Sequence, residues 1–157
     1  MQILQFLFSG LAVGGLYALI AVGFVTIYNV TGIINFAQGE FAMVGAMVAA
    51  TLNAAGLNLL PAVLCGICAA AAVGVLAQRL ALHPARHSPA VAQIMITIGL
   101  SIALRGAALM VWGSEPKTLL PFSAGGPIAV GSAVFARQDL WVLVLTLLAM
   151  TLLFLFF

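Results

Sequence analysis

Charge is what this chain has least of. Only 5% of its 157 residues are charged and 65% are hydrophobic, whereas a water-soluble domain carries about 25% charged residues to cover its surface. No formal side-chain charge lies between Met1 and Gly39, and none again between Phe41 and Gln78. The five basic residues, Arg79, Arg86, Arg105, Lys117 and Arg137, stand against Glu40, Glu115 and Asp139. They are too scattered for a nucleic-acid footprint, which excludes nucleic acid as a partner. Cysteine is equally scarce. Cys65 and Cys68 form a CxxC inside an apolar run, with no second pair and no nearby histidine, so they read as small packing thiols rather than a redox or zinc site. The N-terminus lacks a basic flank, and its apolar run from Ile3 to Ile27 exceeds the roughly 7 to 15 residues of a signal-peptide core. It is a retained span.

What is present is length enough to cross a bilayer several times. About 20 helical residues span a hydrocarbon core of roughly 30 Å, and uncharged stretches of that length recur here. The chain reads as an all-α polytopic membrane protein of about five transmembrane helices, near residues 3–28, 35–56, 61–82, 89–112 and 140–157. Pro61 and Pro89 suit first helical positions, with Ser88 as a cap for the fourth span and Asp139 for the fifth. Trp112 and Trp141 suit membrane interfaces. Between the fourth and fifth spans, "PIAVGSAVFA" places β-prone residues on both sides of a Gly-Ser pair, which predicts a short external hairpin. "RLALHPARHSP" reads as a polar turn, with His83 and His87 as turn residues rather than metal ligands. Arg79 and Arg86 balance Lys117 and Arg137 in the positive-inside count, and the absence of acids near Arg79 places that turn in the cytoplasm.

Small residues mark candidate packing faces. Gly10, Gly14 and Ala18 recur every fourth residue in the first span, and Gly66, Ala70 and Gly74 do so in the third.

The chemistry concentrates in "INFAQGEF", Ile34 to Phe41. A carboxylate at the centre of a membrane helix costs about 2.5 to 3.5 kcal/mol on insertion scales, so something other than lipid must face Glu40. Were Asn35 onward a regular helix, Asn35, Gln38, Ala42, Ala46, Ala49 and Asn53 would share one face and Glu40 would point away. Alternatively, Gly32 and Gly39 bracket a non-helical lead-in and the helix begins near Gly39, with Glu40 in a first turn favoured by the helix dipole. Asn35, Gln38, Gly39 and Glu40 are therefore candidates for a translocation path or a subunit contact, beside the plainer role of anchoring a span at the interface. Arg105, two turns from the end of the fourth span, can snorkel or pair. An intramembrane enzyme would need Ser101 as a nucleophile or Cys65 and Cys68 as a redox pair, and neither a partner base nor a second thiol pair is evident.

"GLYALIAVGFVTIYNVTGIINFAQGEFAMVGA", Gly15 to Ala46, resembles the N-terminal signature of the permease subunits of branched-chain amino-acid ABC importers, the LivH-type family. "HPARHSPAVAQIMITIGLSIALRGAALMVWGSEP", His83 to Pro116, resembles that family's next turn and span. The resemblance implies a single permease domain in the bacterial inner membrane, paired with a second permease subunit, cytoplasmic ATPase subunits and a periplasmic amino-acid-binding protein. It implies import of branched-chain amino acids, with urea or short amides as alternative cargo. No GxxxxGK[ST] phosphate loop is present, so ATPase chemistry is expected from a partner, and no cofactor is expected. Members of the family are about twice this length, and "LLFLFF" at the end of the chain has no polar flank, so the sequence reads as C-terminally truncated. A non-transporting assembly subunit is the alternative.

Overall fold

The computed structural model describes residues 2–119, 128–130, 133–135 and 137–156. In chain order these form α1 (Gln2–Thr31), α2 (Gln38–Ala54), α3 (Leu59–Ala77) with a π-helical turn at Gln78–Leu82, α4 (Ala90–Trp112), β1 (Ile128–Val130), β2 (Ala133–Phe135) and α5 (Arg137–Phe156). Among the described residues the regular structure is helical apart from one small hairpin. Four stretches among the described residues are long and apolar enough to cross a membrane: Ser9–Thr31, Leu59–Leu82, Ala90–Trp112 and Arg137–Leu155. The remaining helix, α2, has 17 residues, about 25 Å at 1.5 Å per residue, which falls short of a hydrocarbon core of roughly 30 Å.

Local chemistry explains where the helices stop. α1 ends on Gly32, whose φ of +69° is open to glycine and costly for residues with a Cβ. Its N–H donates to the Tyr28 carbonyl at 2.7 Å. Two residues after α2, Gly56 turns the chain at φ +96°, and Leu57 N–H reaches back to the Leu52 carbonyl at 3.0 Å. After α3 the ladder widens, and His83 N–H donates to the Gln78 carbonyl five residues back at 2.7 Å.

Three helix starts differ from those expected. α3 begins at Leu59, so Pro61 is its third residue, still within the first turn where no intrahelical acceptor is available to an N–H. α4 begins at Ala90, with Pro89 outside it at φ −54°, ψ 151°, and no side-chain cap bond. Ser88 does not cap; its carbonyl instead accepts from Gln93 Nε2 at 2.8 Å. α5 begins at Arg137, which moves Asp139 from the cap into the first turn, where the helix dipole still favours it.

Two compact units make up the chain. In the first, Met1–Thr26 with Pro121–Phe157, Gly15 of α1 lies against Thr146 of α5, and a Cβ at Gly15 would sit 3.1 Å from the Thr146 hydroxyl. Gly10 and Gly14 face open space, and Ala18 is half-buried. The hairpin belongs to this unit, with Val130 paired to Ala133 and Ile128 to Phe135. Its Gly131 and Ser132 lie outside the described residues.

The second unit, Ile27–Leu120, is organised around α2 and α3. Gly45 and Gly66 meet backbone to backbone. A Cβ on Gly45 would lie 3.0 Å from the Gly66 carbonyl oxygen, and one on Gly66 would overlap the Gly45 oxygen. Ala49 and Ala70 flank the crossing, so four small residues let the two helix backbones touch.

Candidate functional site

Between Gly32 and Ala37 the chain is not helical, and the place of this break within the unit follows from its bonds to α4. Phe36 N–H donates to Thr97 Oγ1 at 3.3 Å. One turn on, Ser101 Oγ donates to Glu40 Oε1 at 3.0 Å. Near the far end, Trp112 Nε1 donates to Thr51 Oγ1 at 2.9 Å. Each pair is separated by 61 residues, so α2 and α4 run parallel in one fixed register.

That register sets depth. Thr97 is seven residues into α4, or about 10 Å from its start at 1.5 Å per residue, so the break lies alongside the interior of a membrane-length helix. Helix α2 starts there and rises beside the second half of α4. Irregular backbone at such depth must find its hydrogen bonds in protein or in a water-lined space. Thr97, fully buried, supplies one of them. Asn35, 7% exposed, supplies another, its Oδ1 accepting from Ala37 N–H at 3.0 Å.

Glu40 occupies the first turn of α2 and is 6% exposed. The non-helical lead-in is thus the geometry adopted, and Glu40 faces α4 instead of pointing away from the packed side. Its Oε1 accepts from both Ser101 Oγ and Arg105 Nη2, the latter at 2.5 Å. Arg105 therefore pairs. The Arg105 side chain remains 67% exposed while that of Glu40 is 8% exposed, so the carboxylate is enclosed and the guanidinium closes it from outside.

Ser101 has a carboxylate neighbour that sequence reasoning did not supply. That carboxylate oxygen already holds the guanidinium, which makes the hydroxyl one of two donors satisfying a buried charge rather than an activated nucleophile. Gln38 begins α2 and is half-buried, while Gly39 is exposed with open space at its Cβ position. Cys65 and Cys68 are free and exposed, and no group of three metal-ligating side chains occurs among the described residues.

Below the break lies a cavity of about 670 Å³. Asn35 and Phe41 contribute to its wall from one side, Gly74 and Gln78 from α3 and the π turn, and Arg86 and Gln93 from the turn and start of α4. Arg86 Nη1 contacts His83 Nε2 at 3.0 Å, and its Nε donates to His87 Nε2 at 3.1 Å. Both imidazoles orient the guanidinium.

Thr97, Gln93 and Gly45 were missed by sequence reasoning. A signal for two of them existed: Gln93, Thr97, Ser101 and Arg105 recur every fourth residue, one stripe along a helix face.

Residues 6–157 match the family described as "Branched-chain amino acid transport system / permease component". The chain is 36% identical to the high-affinity branched-chain amino acid transport system permease protein BraD of Pseudomonas aeruginosa, over 94% of this chain and 52% of that protein. It is 34% identical to LivH of Escherichia coli, of the same description, over 94% of this chain and 52% of that protein. With LivH of Salmonella typhimurium the identity is 36% over 83% of this chain and 45% of that protein. The chain thus spans about half the length of the curated relatives it matches. No solved structure matches it.

Proposed function

The chain belongs to the branched-chain amino acid transport permease family, and from that premise we propose that it forms part of the membrane pathway of an importer carrying branched-chain or related amino acids into the cytoplasm. ATP hydrolysis is supplied by separate subunits, a second permease subunit completes the pathway, and a periplasmic binding protein delivers the cargo. The membrane is the bacterial inner membrane, with the Arg79–Arg86 turn on the cytoplasmic face and the hairpin outside.

One observation carries this reading. A helix that starts at membrane depth, with a non-helical lead-in and an enclosed, paired carboxylate, is a recurrent way of building a transport site from discontinuous helices. Such a break is retained only where protein or a water-lined path satisfies its backbone, and Asn35, Gln38, Gly39 and Glu40 lie along it. The exposure of Arg105 favours a second role for the same place. A guanidinium held beside Glu40 and two-thirds open is unsuited to lipid, so the outer side of the ion pair suits the second permease subunit.

The test is ATP-dependent accumulation of labelled leucine in vesicles carrying the complete importer, alongside membrane abundance of the permease. Copurification with the ATPase without any uptake would assign an assembly role instead. Glu40→Gln in the same vesicles should reduce uptake at normal abundance, and undiminished uptake would remove Glu40 from the mechanism.

A further inference from the structure

The cavity below the break combines three features. Gln93, 8% exposed, donates through Nε2 to the Ser88 carbonyl at 2.8 Å and the Arg86 carbonyl at 3.4 Å, while its Oε1 meets no donor among the described residues. A buried acceptor without a donor carries a desolvation cost of about 1 to 3 kcal/mol, which a ligand N–H or ammonium would remove once the Gln93 amide turns into the space. Arg86 lines the same cavity, is oriented by two imidazoles, and meets no carboxylate among the described residues, so it offers a positive charge to an anion. Between these polar ends the wall is aliphatic and aromatic, from Ile27, Ile33, Phe41 and Leu82.

An acceptor, a fixed cation and an apolar wall in one space fit a small zwitterion with a hydrocarbon side chain. We propose that this cavity binds the transported α-amino acid, its ammonium toward Gln93 Oε1, its carboxylate toward Arg86 and its side chain toward Phe41 and Leu82. This rests on the transport reading above and deepens it by assigning a binding station and a ligand class. At about 670 Å³ the space exceeds one such molecule and is within the range of ligand-binding clefts, roughly 300 to 1,000 Å³. The rest is water. A neutral amide such as urea lacks the carboxylate that Arg86 selects.

Gly74 offers a clean way to close the cavity. It lies on the wall, yet a Cβ there would meet nothing within 4 Å, so added bulk enters empty space rather than a packed contact. The experiment uses the complete importer in proteoliposomes, with Cys65→Ala and Cys68→Ala to remove the native thiols and Ala90→Cys as a reporter on the cavity wall. Leucine at ten times its dissociation constant should slow labelling of Ala90→Cys by a small methanethiosulfonate about tenfold, by mass action, while leucinamide should not. Gly74→Phe should abolish leucine uptake at normal membrane abundance. Equal protection by leucinamide would overturn the assignment to a zwitterion. Absent protection by leucine, or full uptake by Gly74→Phe, would overturn the site itself while ATP-dependent leucine uptake by the parent importer left the transport reading standing.

Discussion

Arg105 reaches back along α4 to the carboxylate of Glu40, although the nearer end of its own helix lies in the other direction, at Trp112. A long cationic side chain near a helix end ordinarily extends to the headgroups. Here a buried carboxylate holds it at depth. The pair and Ser101 thus form a three-residue node that fixes the first turn of α2 to the middle of α4.

Removing one member should therefore be worse than removing two. Arg105→Leu leaves the Glu40 carboxylate enclosed with only the Ser101 hydroxyl, and we expect a loss of about 1 to 3 kcal/mol. That lies below the 3 to 5 typical of fully buried pairs because Arg105 is itself largely exposed. Adding Glu40→Gln removes the stranded charge. Thermal unfolding of the detergent-solubilised permease should place the double variant above Arg105→Leu; the reverse order would show that the pair is not what holds the two helices.

Thr97 does a different job. It is fully buried, and its hydroxyl accepts from Phe36 N–H while lying 2.8 Å from the Ile94 carbonyl to which it donates. Thr97→Val keeps the shape and removes the acceptor that Phe36 N–H uses, at a cost of about 1 to 3 kcal/mol. Hydrogen exchange at the Phe36 amide should accelerate in Thr97→Val and stay slow in Thr97→Ser. Equal exchange in both variants would mean that the break draws its support from elsewhere.

Much of this architecture is legible in the residues alone. The near absence of charge dictates helices in lipid, and the solitary Glu40 dictates a protein neighbour for itself. Its partner was harder to identify because Arg105 satisfies two rules at once, snorkelling and pairing, and only the 61-residue register between α2 and α4 decides between them. Small-residue stripes carry a similar ambiguity. Gly10, Gly14 and Ala18 form as regular a pattern as Gly66, Ala70 and Gly74, yet within its unit α1 places Gly15 against Thr146, and Gly66 finds Gly45. Which stripe meets a neighbour depends on where that neighbour's own small residues fall, and that is a tertiary fact. The Asn35–Ala37 and Thr97–Phe36 bonds depend likewise on the path taken after Gly32.

Thr51 and Trp112 secure the far end of the same parallel pair, with one hydrogen bond between an indole and a hydroxyl. Thr51→Val removes the acceptor and preserves volume, so a net loss of about 0.5 to 1.5 kcal/mol is expected. Because the Glu40 node remains, the first turn of α2 should stay in place. Uptake should then fall less than thermal stability does, and a collapse of uptake without loss of stability would contradict a purely fastening role.

The Gly45–Gly66 contact supplies the sharpest separation between packing and function. Gly66→Val adds a Cβ where the Gly45 carbonyl already lies, and backbone cannot yield as a flexible side chain would. Gly74→Val, on the same helix two turns along, meets nothing within 4 Å. Both replacements introduce the same β-branched residue into α3, so differences in helix propensity cancel and only the local space differs. We expect Gly66→Val to separate α2 from α3 at a cost of about 1 to 3 kcal/mol, the usual range for overpacking, and to reduce membrane abundance. Gly74→Val should be inserted at parental levels. Quantitative immunoblotting of membrane fractions after a heat step distinguishes the two, and comparable losses in both would mean that the α2–α3 crossing tolerates separation and that close backbone contact is not what sets the position of the break.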